Sequence, residues 1–526
     1  MKQNTQNESP EIASLKIELR YKNIYLLLLF LLSTVCLFAN LWIGDLGLDS
    51  CVYATISRAI LRTNNWVVLH FEHSKEYLSF WQHPPLFFWM TAVSFKLFGI
   101  TEFAARFVSA LLGVFTILTV YMIGYRLSNS HKIGFLSGFV LLTTQQFLDF
   151  SRKCQLDVPF AFFITLSILF LVLAIQKSEK YYILLGISTG LAFLAKGVPA
   201  LAVFGIVLLF YILNKDFKFF IRPGFYIFIL FFILTLCIWI IPLIQYGEFK
   251  NFLDNYFRDQ VLSRFLHAQS IKELSLIGKI KDYLWYIIVL LKNYWPWIPF
   301  LILSCYLGIK KRKENKMLMI IILWIFIMLV GFSLAGTKYY RYLAPIYPGF
   351  AVLIGVVLGE RASEKVFRGI LIFSLIFLLV ILFATSIFPL YFGKINAPNK
   401  TELKIITPYI KSLTEDKEHI SVYRMSYWGT VAGFAFYVDR PINKYDTEDS
   451  FGLSLTEGSN YGYIRKEEYN NLSEEFKKNY LPVVETESFL MGSDPVPIRQ
   501  KRGGSRLPRN HRPQDLFLLL SRVEGT

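Results

Sequence analysis

The stretch that decides the fold runs from Gly44 to Arg106. It opens GDLGLDSCVYATISRAI (44–60), passes through FWQHPPLFFW (80–89) and closes on FGITEFAARF (98–107). It lies between two long apolar segments, yet it carries Asp45, Asp49, Glu72, His73, Glu76, His83 and Arg106. A loop of this size is more often functional than connective. Its first acidic pair follows an apolar run, Tyr25 to Ile43, long enough to span a bilayer. A carboxylate at that boundary meets solvent or a cationic partner. The loop therefore reads as the working face of an integral membrane protein.

Composition agrees with that reading. Of the 526 residues, 54% are hydrophobic and only 18% charged, whereas soluble domains carry about 25% charged residues. The net charge of +17 is spread as short Lys/Arg clusters between apolar runs, the pattern of cytoplasmic loops. No basic face with a reading module is present, which excludes nucleic acid as a partner. The five cysteines sit in or beside apolar runs without paired spacing, so they read as small buried hydrophobes.

Working outward, the apolar runs fall near residues 24–43, 103–126, 133–149, 157–176, 181–195, 198–214, 224–246, 284–309, 317–335, 343–360 and 366–390. Each approaches the ~20 residues a bilayer needs. The fold class is thus a polytopic α-helical membrane protein of about eleven transmembrane helices. The shorter segment 84–99 reads as a half-helix or interfacial helix. Residues 1–23 form a polar cytoplasmic N-terminus, and the first span is a signal anchor. With that end inside, the inner loops collect most of the Lys and Arg, above all the run KKRKENK (310–316). The outer side then holds the loop 44–102, Arg152 to Asp157, Lys196, residues 247–283, Gly336 to Arg341 and everything beyond Tyr391. Most chemistry-bearing side chains converge on one face.

After the membrane region (24–391), residues 392–492 read as a small extracytoplasmic α/β domain. TELKIITPYIKSL has helical spacing, while HISVYRM, GFAFYV and YGYIRK read as short strands. Residues 493–526 form a flexible basic tail in which DLFLLLSR is a candidate last strand. The segment NFLDNYFRDQVLSRFLH (251–267) is patterned as an amphipathic interfacial helix.

Six segments occur in one order: Asp49 and HPPLFFW; FG-x-x-E-x-x-x-R (98–106); S-R-K-x-x-x-D-V-P (151–159); A-K-G-V-P-A (195–200); Pro296-Trp297; and GTKYYRYLAPIYP (336–348). In this order they resemble the GT-C membrane glycosyltransferases, in the branch of the protein O-mannosyltransferases and the lipid A aminoarabinose transferases. The resemblance covers about residues 20 to 390. It implies inverting transfer of a sugar from a polyprenyl-phosphate donor to a lipid, protein or glycan acceptor at the outer membrane face. A bacterial inner membrane is the expected location, with membrane lipids as the remaining partners.

Such a reaction needs a base for the acceptor and cations for the phosphate leaving group. Asp49 holds the family's first acidic position and is the candidate base; a helix N-cap at 50–62 is the structural alternative. The family often has Asp-Glu there, and this chain has Asp49-Ser50. Asp157 holds the second acidic position, with a helix cap paired to Arg152 or Lys153 as its alternative. His83, where relatives often carry Lys, is a candidate phosphate or acceptor contact. Lys196, Lys338 and Arg341 are cations at span ends, suited either to phosphate or to snorkelling. Arg58, Arg106 and Arg258 complete the candidate phosphate or acceptor contacts, with Arg264 and His267 beside Arg258. No metal ligand set is assigned, and a divalent cation stays open as a cofactor. Two other functions remain: a surface-polysaccharide polymerase or ligase of similar architecture, and a lipid or sugar transporter or flippase, which would show repeated halves and mid-membrane charges.

Overall fold

The structure, a computed structural model, describes residues 10–44, 46–73, 76–262, 282–311, 315–335, 338–387, 402–414, 419–424, 432–440, 442–457, 461–488 and 515–522. It is helical over most of its length. The membrane half contains α1 (Pro10–Phe38), α2 (Leu48–Thr63), α3 (Leu86–Phe98), α4 (Glu102–Ser128), α5 (His131–Leu142), α6 (Gln145–Ser151), α7 (Asp157–Gln176), α8 (Tyr181–Lys196), α9 (Ala202–Leu213) and α10 (Pro223–Gln245). Further helices cover Trp285–Asn293, Ile298–Lys311, Lys316–Leu334, Tyr347–Gly359 and Glu364–Ile387.

Among the described residues, α4, α7, α10 and Lys316–Leu334 are each long and apolar enough to cross a membrane. The α5–α6 pair is a fifth if counted as one bent span. Shorter apolar helices lie alongside, including α3, α8 and Tyr347–Gly359. The chain is a multi-pass membrane protein.

The helices begin and end for local reasons. Thr101 caps α4 by accepting from the Ala104 amide at 3.2 Å, and Asn129 closes it in the left-handed region at φ 53°. α8 and α10 approach closely because Gly190 has no side chain; a Cβ there would sit 2.5 Å from Thr235 Cβ. Two expected single spans are broken. α5 and α6 meet at 70°, where the Thr143 and Thr144 hydroxyls bond back to Phe139 and Val140 carbonyls at 2.7 and 2.8 Å and compete with the helix ladder. The 284–309 span divides around Pro296, which has no N–H to donate.

The loop 44–102 contains α2 and a hairpin of β1 (His70–His73) and β2 (Glu76–Ser79). The C-terminal residues form a five-stranded sheet of order β4-β3-β5-β7-β6, where β3 is Ile420–Tyr423, β4 Ile442–Tyr445, β5 Tyr461–Arg465, β6 Tyr480–Ser488 and β7 Asp515–Arg522. β3 pairs in parallel with β4 and β5, while β7 runs antiparallel to β5 and β6. Every residue of β3 is buried, as a central parallel strand requires. The segment GFAFYV differs from expectation. Phe434–Val438 is a π-helical turn, in which Phe434, Ala435, Phe436 and Val438 are all buried. Burial all round a segment suits a helical turn, whereas a half-buried strand would alternate.

Candidate functional site

The N-terminus of α2 builds one side of the site. Gly47 enters it extended, and Asp49 stands in the first turn, where the helix dipole favours a carboxylate. The helix starts at Leu48, so Asp49 lies inside it and Gly47 holds the N-cap position. Across from Asp49 is the 3₁₀ turn Tyr340–Leu343, which directs Arg341 inward. The Arg341 guanidinium bonds the Asp49 carboxylate, and its Nε lies 4.0 Å from Asp157 Oδ2.

Asp157 opens α7 and Lys196 closes α8. Their side chains bond directly with 3% and 7% exposed. The Lys196 ammonium also lies over Tyr342, 4.5 Å from the ring centre, a favourable cation–π contact. Four chain segments thus bring two carboxylates and two cations into one alternating cluster, Asp49–Arg341–Asp157–Lys196.

His83 stands at the edge of this cluster. Its Nε2 is 3.5 Å from the hydroxyl of Tyr53, one turn beyond Asp49 on α2. Burial, and then the nearby Asp49 charge, raise the Tyr53 hydroxyl well above the ordinary tyrosine range, so it stays a neutral phenol. Lys338 is buried and bonds Asp282 and the Ala335 carbonyl, each at 2.8 Å.

The remaining candidate cations are separate from the cluster. Arg106 donates to the carbonyls of Leu41, Ile43 and Gly44 at 2.8–2.9 Å. Arg152 donates to Cys36, Leu37 and Ala39, and Lys153 pairs with Asp149 at 2.8 Å. Both arginines satisfy carbonyls that the C-terminal end of α1 and its exit turn leave without helical partners. Arg58 bonds the carbonyls of Ala435 and Phe436. Arg258 is exposed on the π-helical segment Leu253–Leu262. Arg264 and His267 lie outside the described residues, as do the acidic side chains of Asp45, Glu72 and Glu76.

Sequence reasoning missed Tyr53, Tyr256, Asp282 and Tyr342. The Tyr256 hydroxyl accepts from the Val198 amide at 3.0 Å and donates to the Lys196 carbonyl at 3.3 Å, fastening the turn that carries Lys196. Its signal was the apolar stripe of 251–267; Tyr53 was legible as the i+4 neighbour of Asp49. Among the described residues no three His, Cys, Asp or Glu side chains gather as a metal ion would need.

With this geometry in place, the chain can be set beside known proteins. The family described as dolichyl-phosphate-mannose-protein mannosyltransferase matches residues 82–241. An uncharacterized protein of Aquifex aeolicus is 29% identical over 313 residues, 59% of each chain. The undecaprenyl phosphate-alpha-4-amino-4-deoxy-L-arabinose arabinosyl transferase of Aeromonas hydrophila is 25% identical over 331 residues, 61% of this chain and 58% of that one. The chain therefore spans under two thirds of the length of these two relatives. The structure of ArnT from Cupriavidus metallidurans bound to undecaprenyl phosphate superposes with a TM-score of 0.64 at 15% identity, covering 95% of this chain and 98% of that one. The oligosaccharyltransferase of Archaeoglobus fulgidus in the apo form follows at TM-score 0.55 and 12% identity, over 84% and 69%. At such identities these two likenesses are of fold. Over residues 82–241 the chain is thus similar to the dolichyl-phosphate-mannose-protein mannosyltransferase family, over about 330 residues to an undecaprenyl phosphate-alpha-4-amino-4-deoxy-L-arabinose arabinosyl transferase, and in fold to ArnT.

Proposed function

We propose that this protein moves a sugar from a polyprenyl-phosphate donor to an acceptor at the outer face of a bacterial inner membrane, with inversion at the anomeric carbon. The observation that carries the reading is the Asp49–Arg341–Asp157–Lys196 cluster at the ends of apolar helices. The relative named as an undecaprenyl-phosphate arabinosyl transferase and the fold shared with an ArnT bound to undecaprenyl phosphate support the donor class.

Exposure divides the roles. The Asp49 side chain is 36% exposed and that of Asp157 is 3% exposed, so an acceptor hydroxyl reaches only the first. Asp49 takes the hydroxyl proton as the acceptor oxygen attacks the anomeric carbon. The bond from that carbon to the donor phosphate oxygen breaks, and polyprenyl phosphate leaves with an added negative charge. Arg341 meets that charge with a planar two-pronged donor. Asp157 holds Arg341 and Lys196 in place, and His83 with Tyr53 contacts the acceptor or the phosphate. Lys338, paired with Asp282 and the Ala335 carbonyl, anchors the segment leading into the Arg341 turn, while exposed Arg258 meets anionic lipid. Arg58 and Arg106, engaged with backbone carbonyls, act as ties. The C-terminal α/β module lies on the outer side.

Purified wild-type protein and Asp49→Asn, given radiolabelled polyprenyl-phosphate sugars and a membrane extract, test this. Wild type transfers label to a new product, and the variant loses at least about 100-fold in rate, the lower range for a general base. Equal transfer by both removes Asp49 from the base role. Label that crosses liposome bilayers without transfer replaces the enzyme by a transporter.

A further inference from the structure

Helix α2 has two working faces. Asp49 and Tyr53 face the cluster. Arg58 lies about two and a half turns beyond Asp49, on the opposite face, with Arg62 one turn further. That rear face is gripped by the C-terminal module. Arg62 donates Nη1 to Asp439 Oδ1 at 2.9 Å and Nη2 to Oδ2 at 2.6 Å. Arg58, only 3% exposed, reaches Asp439 Oδ1 at 3.0 Å and donates to the Phe436 carbonyl at 3.2 Å. The Tyr437 hydroxyl accepts from the Leu46 amide at 2.8 Å, just before α2 begins. The Phe436 ring stands 6.4 Å from Phe95 on the neighbouring α3.

The same turn is anchored behind. Arg440 donates to the Thr414 hydroxyl and carbonyl, each at 3.1 Å, at the end of the helix Glu402–Leu413. Residues 434–440 therefore form a bracket between the C-terminal module and the helix that carries Asp49. Two-pronged Arg–carboxylate pairs fix geometry as well as charge. A misplacement of about 1 Å in a reacting group costs on the order of 100-fold in rate.

We infer that Asp439 and Tyr437 are positioning residues, which set the place of Asp49 through α2. The inference rests on the reading of Asp49 as the base. The C-terminal module is then a working part of the site.

The test compares wild type with Asp439→Asn, Tyr437→Phe and Arg62→Lys in the full-length protein. Asn also tolerates the left-handed conformation that residue 439 adopts at φ 60°, and Tyr437→Phe removes one hydroxyl, so at least one variant keeps the fold. Amide exchange across residues 46–53 is measured beside kcat and KM for lipid-linked sugar. The expected result is faster exchange in that first turn, in Tyr437→Phe at an unchanged melting temperature and in Asp439→Asn with a lowered one. With it, kcat falls about 10-fold or more and KM stays within about twofold. Arg62→Lys, which keeps the charge and loses the fork, gives a smaller fall. Unchanged exchange in every variant, or a raised KM at constant kcat, overturns the inference. Absence of transfer by wild type overturns the base assignment instead, and exchange alone then decides whether the bracket positions α2.

Discussion

Asp157 and Lys196 are the driest ion pair of the cluster, with 3% and 7% of their side chains exposed. Removing one member of such a pair leaves the other charge buried without its partner, at a cost of about 3–5 kcal/mol. Lys196→Met is therefore expected to lower the unfolding midpoint sharply in detergent. The double change Asp157→Asn with Lys196→Met is expected to cost less than Lys196→Met alone, because no orphan charge remains; an additive loss would show that the two do not act as a pair. The individual members of the cluster were legible as ionisable residues at span ends. Their pairing was not: Asp157 and Lys196 lie 39 positions apart, and Asp49 and Arg341 lie 292 apart. Charge type is written locally, but the choice of partner depends on how helices pack. Arg58 and Arg106 show the same limit, since an arginine that ties backbone carbonyls reads in sequence like one that awaits a phosphate.

At the scale of elements, the turn after α8 depends on Gly197, which has φ +83°. A Cβ there would collide with the Tyr256 hydroxyl. Gly197→Ala is expected to cost roughly 1–3 kcal/mol for the backbone conformation alone. It should also unfasten the segment 249–262 from the Lys196 turn, seen as faster limited proteolysis within that segment. Protection equal to wild type would show that Tyr256 does not hold the turn. Several helices coincide with the apolar runs of the sequence, as with Asp157–Gln176 and Tyr181–Lys196. The breaks did not follow, because apolarity continues across Thr143–Thr144 while hydrogen bonding does not.

Across the whole molecule, the C-terminal sheet region meets helix α2 through Asp439. Burial alone would raise its carboxyl, but the Arg62 hydrogen bond and the charges of Arg58, Arg62 and Lys411 lower it below the ordinary value. A lowered carboxylate stabilises the docked state above its unfolded-chain pKa, about 4, and the contribution is lost as pH falls through the lowered value. Amide exchange across α2 is thus expected to rise in acid below that range in wild type. In Asp439→Asn it should be already raised and flatter with pH; an identical acid response in both would assign the change to another group.

The sequence by itself determined that this chain is a multi-pass helical membrane protein with ionisable residues at the ends of its apolar runs, and it marked Asp49, Asp157, Lys196 and Arg341 as candidates among them. These follow from hydropathy and from the cost of placing charge in a bilayer, both local properties of the chain. Only the tertiary structure decided which carboxylate is dry and which is open. It also decided which arginines are spent on α1 and α2, and that a turn near residue 439 grips the helix bearing Asp49. Each of these depends on distances between segments far apart in sequence, which packing sets and local composition does not record.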